Sequence, residues 1–124
     1  MTQTDSMPEI DFDHLNLYVD GNSALTAEIF GMFKHQIEMW GRALIPDADD
    51  DTWASVTHSL KGSAKAVGAV ALADLCEQAE GFVGTGNRPG LREYSVQNIE
   101  FRISRVLTEI QRWEYDHMIK QMKA

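Results

Sequence analysis

Apolar residues recur along most of this chain at steps of three and four positions, the spacing that places them on one face of an α-helix. The first long stretch of this kind spans about residues 22–45, with a stripe formed by Thr26, Phe30, Phe33, Ile37, Trp40 and Leu44 and broadened by Leu25, Ile29 and Met32. Asn22 or Ser23 can cap its start. The helix is expected to end near Ile45, because the residue before a proline is disfavoured in helical geometry.

Two shorter helices are predicted in the middle of the chain. The acidic run at 47–51 offers an N-cap and negative charge to the positive end of the first, and we favour this interpretation over a metal site. Its inward positions are Trp53, Val56, Leu60, Ala64 and Val67. After a break at Gly68, the second has an inner face made by Leu72, Leu75, Cys76, Ala79, Phe82 and Val83. Gly84 and Gly86 are expected to end it.

A last long helix follows the turn-rich residues 84–90. Its apolar positions alternate strictly by three and four, as Val96, Ile99, Ile103, Val106, Ile110 and Trp113. With a short helical segment around Leu15–Val19, the pattern predicts an all-α protein, an antiparallel four-helix bundle with a short additional N-terminal helix. We expect residues 1–9 to form a flexible tail and residues 10–124 a single domain.

Charge and composition narrow the possible partners. The chain of 124 residues has a formal net charge of -8, which disfavours nucleic acid and anionic membrane surfaces as partners. The charge is uneven, with a balance of -9 over residues 1–51 and +1 over residues 52–124. Cys76 is the single cysteine, and no signal peptide or membrane-spanning run is apparent. We therefore expect a soluble, cytoplasmic protein.

One histidine lies on the polar side of its helix. At about 100° per residue, the inward positions of the helix around Leu60 fall within about 40° of one direction, whereas His58 falls about 160° away. Lys61 and Lys65 lie about 100° and 140° from the direction of Leu60, so the imidazole shares the solvent side with two ammonium groups. Gly62 is on this side too, although a glycine within a helix costs about 1 kcal/mol relative to alanine. Its lack of a side chain would let another macromolecule approach the imidazole closely.

An exposed imidazole beside lysines suits phosphoryl transfer. The neutral ring is a nucleophile at cellular pH, and the lysines can offset the charge of a phosphoryl group. The sequence reveals no catalytic base, metal site or leaving-group acid next to His58. This pattern indicates a carrier whose partner supplies the catalysis.

The residues around this histidine resemble a known family. The stretch HSLKGSA at 58–64, with VGA at 67–69 and LADLCE at 72–77, resembles the signature of histidine-containing phosphotransfer (HPt) domains, over roughly residues 11–120. The resemblance implies that His58 is phosphorylated on its outward nitrogen, that Lys61 supports the phosphoryl charge and that Gly62 keeps the site open. It also implies that Glu80 accepts a hydrogen bond from the other ring nitrogen. Where some members carry an arginine, this chain has Gly84; Lys65 is the candidate substitute.

The resemblance further implies a function and its partners. The chain would relay a phosphoryl group between receiver-domain aspartates in two-component signal transduction, with response regulators or a hybrid histidine kinase as partners. The receiver would supply Mg²⁺, and the chain itself would need no cofactor and have no autokinase activity. We expect a monomer whose docking surface includes Ala54, Ser55 and Ser59.

Two other interpretations remain open at this point. Di-iron sites in four-helix bundles use Glu-x-x-His motifs, and residues 114–117 fit that spacing once. Alternatively, the protein is an inert helical adaptor that self-associates through the seam from Val96 to Trp113. In that case His58 is an ordinary surface residue.

Overall fold

All regular secondary structure in residues 8–123, the part described by our computed structural model, is helical, and no strand occurs in this part. The five α-helices are α1 (Phe12–Val19), α2 (Ser23–Ala43), α3 (Asp50–Ala66), α4 (Val70–Glu80) and α5 (Leu91–Lys123), with a short 3₁₀ turn at Gly84–Gly86. Within the same residues, none of the helices has both the length and the apolar composition needed to cross a membrane. The predicted tail lies mostly outside this range, because residues 1–7 are not described.

Two of the helix starts are set by the capping residues that the sequence suggested. Asn22 precedes α2, and its side-chain oxygen accepts a hydrogen bond from the backbone N–H of Leu25 at 3.1 Å. Asp49 precedes α3 and accepts one from the N–H of Thr52 at 2.7 Å, which holds the pKa of Asp49 below its usual range. The interpretation of the acidic run as a helix start is therefore confirmed.

The four longer helices enclose the core. Each contacts two others, since α2 packs against α3 and α5, and α4 packs against α3 and α5. The largest fully buried apolar side chains of the described residues come from all of them and from the N-terminal segment: Trp53, Phe30, Phe33, Ile10, Leu15, Leu60, Leu72, Ile99, Ile110, Val67 and Val106. All five inward positions predicted for α3 are buried.

Two details of the sequence-based helices are wrong. Leu25 and Met32, which were expected to broaden the buried stripe of α2, are exposed. The α4 helix ends at Glu80 rather than at Gly84, so Phe82 and Val83 lie beyond it. The reason is a tertiary contact, because the carbonyl of Phe82 accepts a hydrogen bond from Nε of Arg92 at 3.0 Å and leaves the helical path.

Arg92 is a buried cation that fixes the start of α3. Only 4% of its surface is exposed, and its guanidinium donates hydrogen bonds to the carbonyls of Pro46 and Ala48 and to the carboxylate of Asp50. Its guanidinium carbon also lies 4.8 Å from the ring centroid of Trp53. A buried charge is tolerated only when it is paired in this way. Arg92 thereby joins α5 to the end of α3 that precedes the candidate histidine.

The N-terminal segment is anchored to α5 by a cluster that we call the N-terminal clasp, formed by Glu9, Arg102, Arg105 and Glu109. The backbone N–H groups of Glu9 and Ile10 donate to the carboxylate of Glu109 at 2.8 and 3.0 Å. The carboxylate of Glu9 lies 3.0 Å from Nη1 of Arg102 and 3.2 Å from Nε of Arg105. Glu9 is therefore buried, and its expected place in a flexible tail is wrong.

Candidate functional site

The outer surface of α3 presents the candidate histidine to solvent. The side chain of His58 is 68% exposed, as its place opposite Leu60 predicted. The helix itself is held against α4 by a hydrogen bond of 2.7 Å from Nε1 of Trp53 to the carbonyl of Ala79. This bond fixes the register of the two helices where Glu80, the last residue of α4, lies beside His58.

Glu80 faces one nitrogen of the imidazole. The distance from Nδ1 of His58 to Oε2 of Glu80 is 3.5 Å, long for a hydrogen bond but short enough for the carboxylate to orient the ring. The second ring nitrogen, Nε2, is then the one left for an incoming group. The structure thus brings together the two side chains that the sequence analysis paired, while the hydrogen bond between them stays a prediction.

Lys61 is placed differently from the sequence expectation. Its Nζ lies 2.9 Å from Oε1 of Glu80, and the side chain is only 16% exposed instead of standing free on the surface. Hydrogen bonding to Glu80 raises the pKa of Lys61 above its usual range, and the same contact lowers the pKa of Glu80. Glu80 thus lies between an ammonium group and an imidazole, and both contacts favour its ionised form.

Gly62 leaves open space beside the imidazole. A Cβ atom built at this position meets no atom within 4 Å, so the residue is not required for the helices to pack together. Lys65, one turn further along the exposed side, makes no ion pair with any described residue. The surface near His58 therefore has room for another molecule at Gly62 and carries one lysine, Lys65, without an ion pair among the described residues.

A groove continues this surface towards the N-terminal helix. It has a volume of about 830 Å³, and its walls come from α1, α2, α3 and the start of α4. Its lining includes Gly62 and Lys65 together with the exposed apolar side chains of Tyr18, Met32 and Val70. The sequence analysis missed this groove, because its walls come from segments that are distant in the chain.

Cys76 lies buried on the inner side of the site. Burial, with a further contribution from the charge of Glu80, raises the pKa of its thiol to about 12. The thiol is protonated at neutral pH and is not a reactive nucleophile. The exposed imidazole is therefore the stronger candidate for covalent chemistry.

Neither alternative from the sequence gains support. Glu114 forms an ion pair with Lys34 at 2.8 Å, and the ring of His117 stacks on Trp113. Residues 8–123 hold no group of three or more histidine, cysteine or acidic side chains arranged to bind a metal. The seam proposed for self-association packs into the protein's own core, where Ile99, Val106 and Ile110 are fully buried.

A family model described as the Hpt domain matches residues 25–123. The chain belongs to the Hpt domain family. Hpt domains are helical bundles that carry phosphoryl groups in phosphorelays and interact with receiver domains and kinases. Searches of curated proteins and of solved structures gave no match.

The match to the Hpt domain covers all but the first two residues of α2, continues to the end of α5, and includes every candidate site residue. It begins at Leu25 and so excludes α1 and the clasp residue Glu9. In this Hpt domain, α1 forms one wall of the groove beside the histidine, through His14 and Tyr18. The segment outside the family match therefore contributes to the surface around the site.

Proposed function

We propose that this Hpt domain relays a phosphoryl group between receiver-domain aspartates, with His58 as the acceptor. The observation that carries the proposal is an exposed imidazole with Nδ1 turned to the Glu80 carboxylate, on a helix face that Gly62 leaves open. A hydrogen on Nδ1 is favoured by the neighbouring carboxylate, which leaves the Nε2 lone pair available for attack.

The transfer reaction needs no reacting group from this chain other than the imidazole of His58. The Nε2 lone pair attacks the phosphorus of an aspartyl phosphate in the receiver, and the new P–N bond forms as the P–O bond to the aspartate breaks. The aspartate leaves as a carboxylate, while the proton on Nδ1 stays in place beside Glu80. Passing the group to a second receiver reverses these events at another aspartate.

The cations near His58 supply the charge complementarity that a phosphoryl group needs. Glu80 lies between Lys61 and His58, and the flexible side chain of Lys61 can turn from Glu80 towards a phosphoryl group on the imidazole. Lys65 is the second candidate, in keeping with the glycine found at position 84. Gly62 gives the receiver room to bring its aspartate to Nε2.

The remaining parts of the proposal concern the partners. The receiver domain supplies the acidic pocket and Mg²⁺ that align and neutralise the reacting groups, and this chain has no autokinase activity. Its docking surface contains Ala54, Ser55 and Ser59 on α3 and extends along the groove. The proposed setting is the cytoplasm.

We also propose that the four longer helices run antiparallel. Contacts such as Lys34 with Glu114 and Ser63 with Gln36 support this arrangement.

A transfer assay tests the assignment directly. Incubation with a phosphorylated receiver and Mg²⁺ is expected to label the protein with a phosphate that is labile in acid and stable in base. His58→Gln should abolish the label, whereas His35→Gln, the matched change at an exposed histidine on α2, should leave it unchanged. A label that survives His58→Gln would show that another residue is the acceptor.

A further inference from the structure

The N-terminal helix α1 turns one flank towards the groove beside the candidate histidine. Leu15 and Val19 are buried against the core, whereas Leu17 is 78% exposed and points away from the protein. Tyr18 lies about 60° from Leu15 at 100° per residue, and it lines the groove together with His14. The rings of His14 and Tyr18 meet edge to face with their centroids 5.5 Å apart. His14 therefore supports the Tyr18 ring on one side and leaves it open to a partner on the other.

The turn between α3 and α4 fixes where α1 begins. The backbone N–H of Asp11 donates to the carbonyl of Gly68 at 2.8 Å, and the side chain of Asp11 caps the start of α1. Gly68 has a φ of +77°, and a Cβ atom built on it would lie 2.8 Å from the carbonyl oxygen of Asp11. No side chain fits at this position unless the N-terminal segment moves. Gly68 therefore determines how closely the start of α1 approaches the turn.

The N-terminal clasp holds the same segment from the side of α5. Glu109 accepts hydrogen bonds from the backbone N–H groups of Glu9 and Ile10, directly before Asp11. Three successive N–H groups are thus bound to α5 and to the α3–α4 turn before α1 begins. Because these bonds are present in the free protein, the flank of α1 is preorganised and little ordering is needed when a partner binds.

A receiver that reaches His58 also covers the near end of the groove, a step that rests on the proposed function. Gly62 and Lys65 line the groove, and they follow His58 on α3 by roughly 6 and 10 Å along the helix axis. A specific interface buries about 800 Å² on each partner, which corresponds to a patch roughly 30 Å across. The near end of the groove therefore lies inside the interface, and the Tyr18 ring on its other wall is available to the same receiver.

Selection among receivers needs a contact that differs from one Hpt domain to another. The family match begins at Leu25, so the outer face of α3 belongs to the shared part of the family and α1 does not. Three large apolar side chains described in the groove are more than half exposed, and Tyr18 comes from α1, whereas Met32 and Val70 come from the matched helices. Tyrosine often dominates the energy of an interface because its ring is large and has few rotatable bonds.

We propose that Tyr18 is a specificity-determining residue for the receiver, and that Gly68 is the positioning residue that holds it at the groove. The receiver packs an apolar patch beside its phosphorylated aspartate against the Tyr18 ring, while the aspartate approaches His58 over Gly62. Tyr18 acts on binding and not on the bond formed at Nε2. Its removal therefore raises the receiver concentration that is needed, without changing the rate at saturation.

Labelling rates measured against receiver concentration test the role of Tyr18 in the full chain. The probe is the phosphorylated receiver domain that labels the wild type fastest, with Mg²⁺ present. Tyr18→Ala should raise the half-saturating concentration roughly tenfold to thirtyfold and leave the maximal rate unchanged. Leu17→Ala, the matched change at the neighbouring exposed residue outside the groove, should alter neither value. An unchanged half-saturating concentration for Tyr18→Ala, or equal effects of the two variants, overturns the proposal.

A second receiver, one that labels the wild type slowly, tests specificity. Tyr18→Ala should bring the efficiencies of the two receivers closer together, because it removes a contact that the preferred receiver makes better. Equal weakening of both receivers would show that Tyr18 is a general contact and not a specificity-determining residue.

Gly68→Ala tests the positioning role. Gly90→Ala is its matched control, because Gly90 also has a positive φ, +86°, but a Cβ atom there meets nothing within 4 Å. Gly68→Ala should raise the half-saturating concentration several-fold, and Gly90→Ala should not. In a protein that already carries Tyr18→Ala, Gly68→Ala should add little, since the contact that it positions is absent. Fully additive effects would contradict the positioning role.

Glu109→Gln tests the same role if Gly68→Ala does not fold. It removes one of the two carboxylate oxygens that bind the N-terminal segment and leaves the α3–α4 turn intact. The half-saturating concentration should again rise, and the effect should again be small when Tyr18→Ala is present. An additive effect of Glu109→Gln would contradict the positioning of Tyr18 by this segment.

Receiver docking and phosphoryl transfer fail separately. In a His58→Gln background, titration calorimetry with the unphosphorylated receiver measures binding without transfer, and Tyr18→Ala should weaken it. Binding that depends on Tyr18, together with a wild type that is not labelled, would contradict the proposed function alone. A labelled wild type whose receiver binding does not depend on Tyr18 would contradict this inference alone.

Discussion

Two glutamates of this protein each lie between two nitrogen-bearing side chains, yet their surroundings differ. In the N-terminal clasp, Glu9 has a side chain only 6% exposed and is held by two arginines. At the candidate site, Glu80 is 31% exposed and lies between Lys61 and His58. The clasp joins residues that are 93 to 100 positions apart in the chain, whereas the site joins neighbouring helices.

The difference indicates that burial and residue type determine whether such a cluster mainly stabilises the fold or mainly takes part in a reaction. Arginine stays charged and can bind a carboxylate at several points, so the buried clasp favours one geometry. Lysine binds as a point charge on a flexible chain, so we expect the cluster around Glu80 to rearrange more readily than the clasp. We expect changes in the clasp to alter stability and changes at the site to alter transfer.

The largest expected effect is on access to the site. Gly62→Trp should reduce phosphotransfer at least a hundredfold, because the new ring occupies the space that a receiver needs beside His58. Gly62→Ala is the matched smaller change and should retain most of the activity. Both variants should keep the melting temperature of the wild type within a few degrees. If Gly62→Trp fails to fold, Gly62 is a packing residue and not an access residue.

The next effect concerns the clasp. Glu9→Gln should lower the free energy of unfolding by about 1–3 kcal/mol, because it removes the buried negative charge that faces the guanidinium of Arg102. Glu80→Gln is the matched change at the candidate site, where the carboxylate is less buried than that of Glu9, and should have little effect on stability. Urea unfolding measures both. Equal losses of stability would remove the distinction between the two clusters.

A smaller effect is expected on the lifetime of the phosphohistidine. Glu80→Gln removes a negative charge near the phosphoryl group while its amide oxygen can still face Nδ1 of His58. The lifetime of the phosphohistidine should increase, because the Glu80 carboxylate no longer repels the phosphoryl group. The increase should be only roughly threefold to tenfold, since such repulsion is weak in a solvated site. Loss of the label during a timed chase measures it. A shorter lifetime would mean that the carboxylate charge itself is needed to hold the ring.

The smallest effect is the pH dependence of stability from the Lys61–Glu80 pair. Because the pKa of Glu80 is lowered in the folded protein, its contribution is present above the usual carboxylate range and is lost as the pH falls through the lowered value. Because the pKa of Lys61 is raised, its contribution is present below the usual lysine range and is lost as the pH rises through the raised value.

Thermal unfolding of the wild type and of Lys61→Met over a range of pH values measures the pH range in which the Lys61–Glu80 pair stabilises the fold. The difference in stability should be largest near neutral pH and should shrink towards both extremes. A difference that is constant with pH would show that Lys61 stabilises the fold by its methylene groups instead of its charge.

The sequence by itself determined the helical class, most of the buried positions and the placement of His58 and Gly62 on the open side of α3. These features are local, because helical periodicity relates each residue to its neighbours three and four positions away. Capping by Asn22 and Asp49 could be predicted from the sequence for the same reason, because a cap bonds to a residue three positions further on. The family resemblance pointed to Glu80 as the residue facing His58, and its role stays a prediction.

Only the tertiary structure decided where the charges meet. It paired Lys61 with Glu80 from the next helix, buried Glu9 against α5 and placed Arg92 against Pro46, Ala48 and Asp50. It also ended α4 early, through the contact of Phe82 with Arg92. Such contacts depend on how the helices are aligned in space, and the periodicity of a single helix contains no information about that alignment.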